Sequence, residues 1–150
     1  MGMDLRGAGR TKRFSITSWC KVLQLAQEYG WQPAGTQAPT FMLADGTIET
    51  AEDWSGTYFD NSYQRVSDED AANIAEALRR ALSDIPDFDT DEKWVKLPPS
   101  NPFERMMAEQ GFEMSGPNLS LTPLEFFSGE AKQQVEDFIA YCQAGWFLIR

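Results

Sequence analysis

The sequence predicts an α+β fold: about four amphipathic helices around one core, with a small antiparallel sheet built from a hairpin near 41–48 and a C-terminal strand at 146–149. Three observations carry that prediction. Apolar residues recur at helical spacing over 19–26 and 71–85. Residues suited to capping a helix start precede those runs and two others. The strand signals are short and lie far apart in the chain. A length of 150 residues suits one domain. An apolar share of 42% is enough for a real core.

Residues 1–13 contain Gly2, Gly7 and Gly9 and show no periodicity, so they are expected to form a flexible N-terminal tail ahead of one globular domain over 14–150. The stretch from Gly7 to Lys12 has glycines placed somewhat as in a phosphate loop, but lacks the Gly-Lys-Ser/Thr ending and a preceding strand. The first helix is expected over 16–29, capped by Ser15, with Phe14 and Trp19 as a hydrophobic staple. Trp19, Val22, Leu23 and Ala26 form its inner face, while Lys21, Gln24, Gln27 and Glu28 lie toward solvent. Gly30 supplies a left-handed end and Pro33 prevents continuation. Asp45-Gly46 is a two-residue hairpin signal between short strands.

The second helix begins at Ser67, with Asp70 completing a near-capping box, and ends near Asp84 because Pro86 disfavours helical geometry before it. Residues 87–100 form an acidic, proline-containing connection. Asn101 and Pro102 open a short third helix carrying Phe103, Met106 and Met107. Leu119 and Leu121 alternate like a small strand. Thr122-Pro123-Leu124-Glu125 is a full capping box for the last helix, which breaks at Ser128-Gly129 and runs on to Gly145. The pairs Gly30-Trp31, Gly111-Phe112 and Gly145-Trp146 share one ending, in which the ring packs back on the final turn. Strand 146–149 closes the sheet, and deleting 146–150 is expected to leave insoluble or unfolded protein.

Net charge is −10, with Arg6, Arg10, Lys12 and Arg13 concentrated at the start and a strongly acidic remainder. Such a body repels nucleic-acid phosphates, which need clustered Lys and Arg. It attracts a basic protein partner, although charge of this kind also serves solubility. Histidine is absent, which removes Ser-His-Asp and Cys-His nucleophiles, His-ligated zinc and the commonest neutral-pH base. Cys20 and Cys142 are expected as two buried, reduced thiols. No apolar run approaches the roughly 20 residues that cross a bilayer, and no leader segment is evident, so a cytoplasmic protein without membrane contact or cofactor is expected.

The acids at 87–92 are spaced like the start of a calcium loop, but Glu92 replaces the required glycine and Pro98 the bidentate glutamate. Carboxylate pairs suitable for glycoside hydrolysis arise by chance in so acidic a chain. Ser55, Ser115 and Ser128 precede glycine without the setting of a hydrolase elbow. The segment 53–65 remains. Its candidate ligand- or partner-binding residues are Asp53, Trp54, Tyr58, Asn61, Tyr63, Gln64 and Arg65, because exposed rings supply contact area and amides supply orientation. The plainer reading is a loop pinned to the core by Trp54, Phe59 and Tyr58, with 63–66 as an edge strand.

Trp19, Tyr29-Gly30-Trp31, Pro33, Gly35-Thr36, Trp54, Gly56, Tyr58, Asn61, Gln64, Val66, Asp70-Ala71, Ala75, Ala77-Leu78, Gly145 and Phe147 together form a pattern that resembles a group of uncharacterised bacterial proteins. The resemblance implies no activity, cofactor or catalytic residue. Small size and acidity are also similar to those of immunity proteins that neutralise basic toxins, an analogy of type only. The expected function is a non-enzymatic acidic protein that binds a partner protein, immunity- or adaptor-like. The alternative is a small enzyme or small-molecule binder with its site at the loop 53–65.

Overall fold

A computed structural model of the chain describes residues 2–50, 54, 56–90 and 92–150. The fold is α+β, as the helical and strand patterns predict. Its strands are β1 (Gly2–Gly7) and β2 (Arg10–Ser15), followed by helix α1 (Ile16–Glu28). The chain continues through β3 (Thr40–Met42), β4 (Ile48–Thr50), β5 (Gln64–Val66) and α2 (Asp68–Leu82). Then come β6 (Trp94–Lys96), α3 (Pro102–Glu109), β7 (Ser115–Pro117), α4 (Pro123–Phe126), α5 (Lys132–Gln143) and β8 (Phe147–Ile149).

The main sheet is antiparallel with strand order β2-β1-β8-β5, and the hairpins β3-β4 and β6-β7 stand apart from it. The flexible tail expected over 1–13 is therefore corrected: residues 2–15 are a hairpin that supplies half of the main sheet. Met3 and Leu5 alternate with Asp4 and Arg6, and this period of two buries the apolar pair against the helices. Gly9, at φ 68°, makes the turn. A strand does precede the phosphate-loop-like glycines, but the chain returns as a second strand rather than as a helix.

Local chemistry explains the helix starts. Ser15, Ser67, Asn101 and Thr122 each accept a hydrogen bond from a first-turn amide, and Thr122 with Glu125 forms the reciprocal capping box. Phe14 and Trp19 meet at 5.5 Å, as a staple requires. The core joins α1, α2 and α5 to one face of the sheet, with Phe138 edge-on to Phe14 and Phe147.

Several finer expectations are corrected. Leu43 donates to Thr47 across Ala44, Asp45 and Gly46, so the β3-β4 loop has one residue more than the dipeptide signal implied. The connection 87–100 contains β6, and the partner strand is β7 rather than the alternation at Leu119 and Leu121. Leu119 is exposed in a turn while Leu121 is buried. Cys142 is buried, whereas Cys20 is exposed on the solvent side of α1. Of the three shared endings, only Gly30-Trp31 buries its ring in a complete Schellman pattern. Phe112 follows the same backbone pattern but is 60% exposed. At Gly145 the next amide, that of Trp146, donates to Asp68 at 2.8 Å instead.

Candidate functional site

The loop ahead of β5 is positioned by hydrogen bonds that its own polar groups make inward. Asp70, wholly buried at the start of α2, accepts from Trp31 Nε1 at 2.8 Å, Tyr58 Oη at 2.6 Å and the Ala34 amide at 3.4 Å. It does not return to Ser67 as a capping box would, because Trp31 and Tyr58 already occupy its oxygens. The Trp31 and Tyr58 rings meet edge to face at 5.4 Å. Burial, and then the bond to Asp70, push the Tyr58 hydroxyl above the usual tyrosine range, so it stays a donor.

Gln64 is wholly buried in β5. Its carbonyl accepts from Thr36 Oγ1 at 2.6 Å and the Tyr58 amide at 3.3 Å, and its amide donates to the Asp60 carbonyl at 2.8 Å. Trp54 Nε1 donates to the Thr36 carbonyl at 3.1 Å, and Trp19 Nε1 to that of Tyr58 at 2.7 Å. Asn61 ties the loop to β1, accepting from the Asp4 amide at 3.2 Å and donating to the Gly2 carbonyl at 2.9 Å. At Gly56 an added Cβ would stand 2.0 Å from Thr36 Oγ1, so no larger residue fits.

Of the predicted site residues, Trp54, Tyr58, Asn61 and Gln64 thus hold the loop to the body, and Asp53 lies outside the described residues. Phe59, expected as a core pin, is 49% exposed. Tyr63 and Arg65 face outward. Tyr58 and Tyr63 both have left-handed backbone, at φ 65° and 61°, yet the Tyr58 ring is buried and the Tyr63 ring is half exposed.

The outward pair belongs to the sheet face that carries no helices. Register places Thr11, Arg6, Leu148 and Arg65 in one row across β2, β1, β8 and β5. The adjacent row runs Arg13, Asp4, Arg150, Tyr63, with the Arg150 amide donating to the Asp4 carbonyl at 2.8 Å. Arg65 lies 4.7 Å from the centre of the Trp146 ring, and Arg150 lies 5.7 Å from that of Tyr63. Arg13 and Asp4 pair at 3.0 Å in the open. A groove of about 640 Å³ between Phe41, Tyr63, Arg65, Trp146 and Leu148 adjoins one of about 650 Å³ between Asp4, Arg13, Tyr63 and Arg150. Sequence reasoning missed Arg6, Arg150 and Trp146 here, because their common face exists only once β1 and β8 pair.

A second surface is apolar. The arm over 94–119, built from β6, α3 and β7, exposes Trp94, Phe103, Met106, Phe112, Met114 and Leu119. α3 has the predicted helical stripe yet buries none of its residues. The third helix was expected in the common core and is corrected on this point. The arm is tethered by Lys93, which reaches the Ser128 carbonyl and pairs with Asp89 at 3.1 Å, and by Asn118, whose amide donates to the Glu92 carbonyl at 3.0 Å.

In the calcium-like segment, Asp87 pairs with Lys132 at 2.9 Å, and Asp91 lies outside the described residues, as does Ser55. Among the described residues, no group of three metal-ligating side chains stands together. No described helix is long and apolar enough to cross a membrane. In comparisons with known proteins, no family model, no curated protein and no solved structure matches the chain.

Proposed function

We propose that the chain is a non-enzymatic binding protein that engages a partner protein, with the arm over 94–119 as the contact surface. The observation that carries this reading is α3, whose apolar stripe leaves Phe103 and Met106 exposed and no residue of the helix buried. Phe103 is 66% and Trp94 64% exposed, and so many large exposed apolar side chains within one segment favour an interaction site over ordinary scatter. The net charge of −10 makes a basic protein the partner of choice, since opposite charge speeds encounter. Two free cysteines, one of them exposed, suit a reducing cytoplasmic setting.

The test compares the whole chain with a Phe103→Asp, Met106→Asp variant in affinity purification from the native cell. A stoichiometric, salt-sensitive partner is expected with the unaltered chain and is lost with the variant, whose melting temperature stays the same. Retention by the variant, or repeated recovery of nothing, refutes the reading.

A second reading, a small-molecule binder or small enzyme, is favoured by one observation: Tyr63 and Arg65 share the groove of about 640 Å³ beside Trp146. An anionic metabolite that raises the melting temperature of the unaltered chain but not of Arg65→Ala would support it.

A further inference from the structure

From the helix-free face of the main sheet, we infer a second docking surface, one that takes an acidic, extended segment of a protein partner. The inference does not depend on the apolar arm. It starts from a separation of charge that the net value hides.

The chain has 13 basic and 23 acidic side chains. In such a mixture nearby carboxylates can neutralise cations, and away from the sheet face several pairs do so. Arg79 and Arg80 sit by Glu76, Lys96 by Glu113, and Lys132 by Asp87. On the sheet face the pattern is different. Arg6, Arg65 and Arg150 have no carboxylate side-chain partner among the described residues, and Asp4 is already paired with Arg13. Register puts Arg6 and Arg65 in one row with the half-buried Leu148 between them.

Neighbouring strands lie about 4.8 Å apart, so the two guanidinium stems start roughly 10 Å from one another with an apolar side chain midway. Widened by the reach of the two arginine side chains, that spacing suits an extended chain with carboxylates at i and i+4 and an apolar residue at i+2, since same-side residues repeat at about 7 Å. Arginine binds carboxylate through paired N–H donors, and it is weakly hydrated, so such contacts form at low desolvation cost. Trp146 and Tyr63 hold the Arg65 and Arg150 guanidinium groups over their rings, which limits the rotamer freedom lost on binding.

The same face is a poor nucleic-acid platform. Stacking bases need free ring faces, and both rings already carry a guanidinium. A phosphate chain long enough to reach past the sheet would meet the acidic remainder of the molecule.

The test uses fluorescence anisotropy with the whole chain. The probe is a short labelled peptide with glutamates two residues before and two residues after a central leucine. Controls are its glutamine counterpart, an oligothymidylate of similar length, and unlabelled glutarate as competitor. The glutamate peptide is expected to bind, and the glutamine peptide to bind at least roughly tenfold more weakly, as loss of about 1.4 kcal/mol would give. Arg6→Ala with Arg65→Ala should weaken the glutamate peptide to the same degree, while Arg79→Ala, on the exposed side of α2, leaves it unchanged. Melting curves of both variants should match the unaltered chain, because Arg6 and Arg65 are exposed. No binding of the glutamate peptide, equal binding of the glutamine form, or insensitivity to the paired substitution overturns the inference. Tighter binding of the oligonucleotide would instead assign the face to nucleic acid, and displacement by glutarate at concentrations comparable to the peptide's would assign it to a small dicarboxylate.

Discussion

Asp70 is one carboxylate on which two functions of the sequence converge. Its amide is the cap donor to Ser67 at 3.1 Å, while its side chain gathers Trp31, Tyr58 and Ala34. Replacing Asp70 with Ala would strand the indole N–H and the tyrosine hydroxyl in the core without acceptors. Each such orphan costs about 1–3 kcal/mol, so a loss of roughly 3–5 kcal/mol is expected in denaturant melts. A loss below about 1 kcal/mol would show that water replaces the carboxylate.

Burial likewise pushes the Tyr58 hydroxyl and the Cys142 thiol above their ordinary values. Both groups are favoured protonated in the fold, so their contribution is fully present below the unfolded-state values, about 8.5 for cysteine and 10 for tyrosine. It is lost as pH rises beyond them. The melting temperature should therefore be level from neutral pH to about 8 and fall steeply above about 9, and less steeply in Tyr58→Phe. A level profile to about pH 11 would contradict this.

Helix ends show how the elements are joined. The C-terminal end of α5 has no basic residue in its last turn and no ordinary cap bond from Trp146. Arg10 of β2 supplies the charge instead. Its guanidinium donates to the Tyr141 carbonyl, to that of Gly145 at 3.0 Å and to that of Trp146 at 2.8 Å, and lies over the Tyr141 ring at 4.2 Å. A cation there satisfies orphan carbonyls and opposes the helix dipole.

Arg10→Ala should destabilise the protein by about 2–3 kcal/mol, the range for a part-buried charged donor with several acceptors. Arg10→Lys should recover only part of that, since an ammonium cannot span carbonyls four and five residues apart as a fork does. Equal melting of Arg10→Ala and the unaltered chain would remove this role. Asp68 completes the joint from the other side by accepting from the Trp146 amide at 2.8 Å, which binds the start of α2 to the end of α5. Gly145 is required between them: its φ is 114°, and a Cβ would stand 2.8 Å from Asp68 Oδ1.

Taken together, these joints divide the molecule into a body and an appendage. The body is the four-stranded sheet with α1, α2 and α5, whose rings and aliphatic chains form one continuous core. The appendage is the arm over 94–119. Lys93 and Asn118 tether it, and within α3 nothing is buried. Regions with few buried apolar contacts open at lower free energy than cores. Amides of the arm should accordingly exchange with solvent well before those of α2 and α5, and a bound partner should slow them selectively. Protection of the arm equal to that of α2 in the isolated chain would refute the division. The arginine-bearing sheet face and the apolar arm are built from different elements, so binding at the two should respond independently to point substitution.

The sequence by itself determined the fold class, the helix starts and the C-terminal strand, since these follow from caps, prolines, glycines and periodicity within a few residues of one another. Ser15, Ser67, Asn101 and Thr122 act within their own first turns, so their roles are legible without knowing any distant partner. Tertiary structure alone decided the rest. The N-terminal hairpin has too little apolar sequence to announce itself, and it is held by pairing with a strand at the other end of the chain. The polar residues of the loop at 54–64 look free in one dimension, but Trp54, Tyr58, Asn61 and Gln64 find partners in 2–36 and at Asp60 and Asp70. The arginine face has no local signature at all, because a sheet assembles it from four strands drawn from both ends and the middle of the chain.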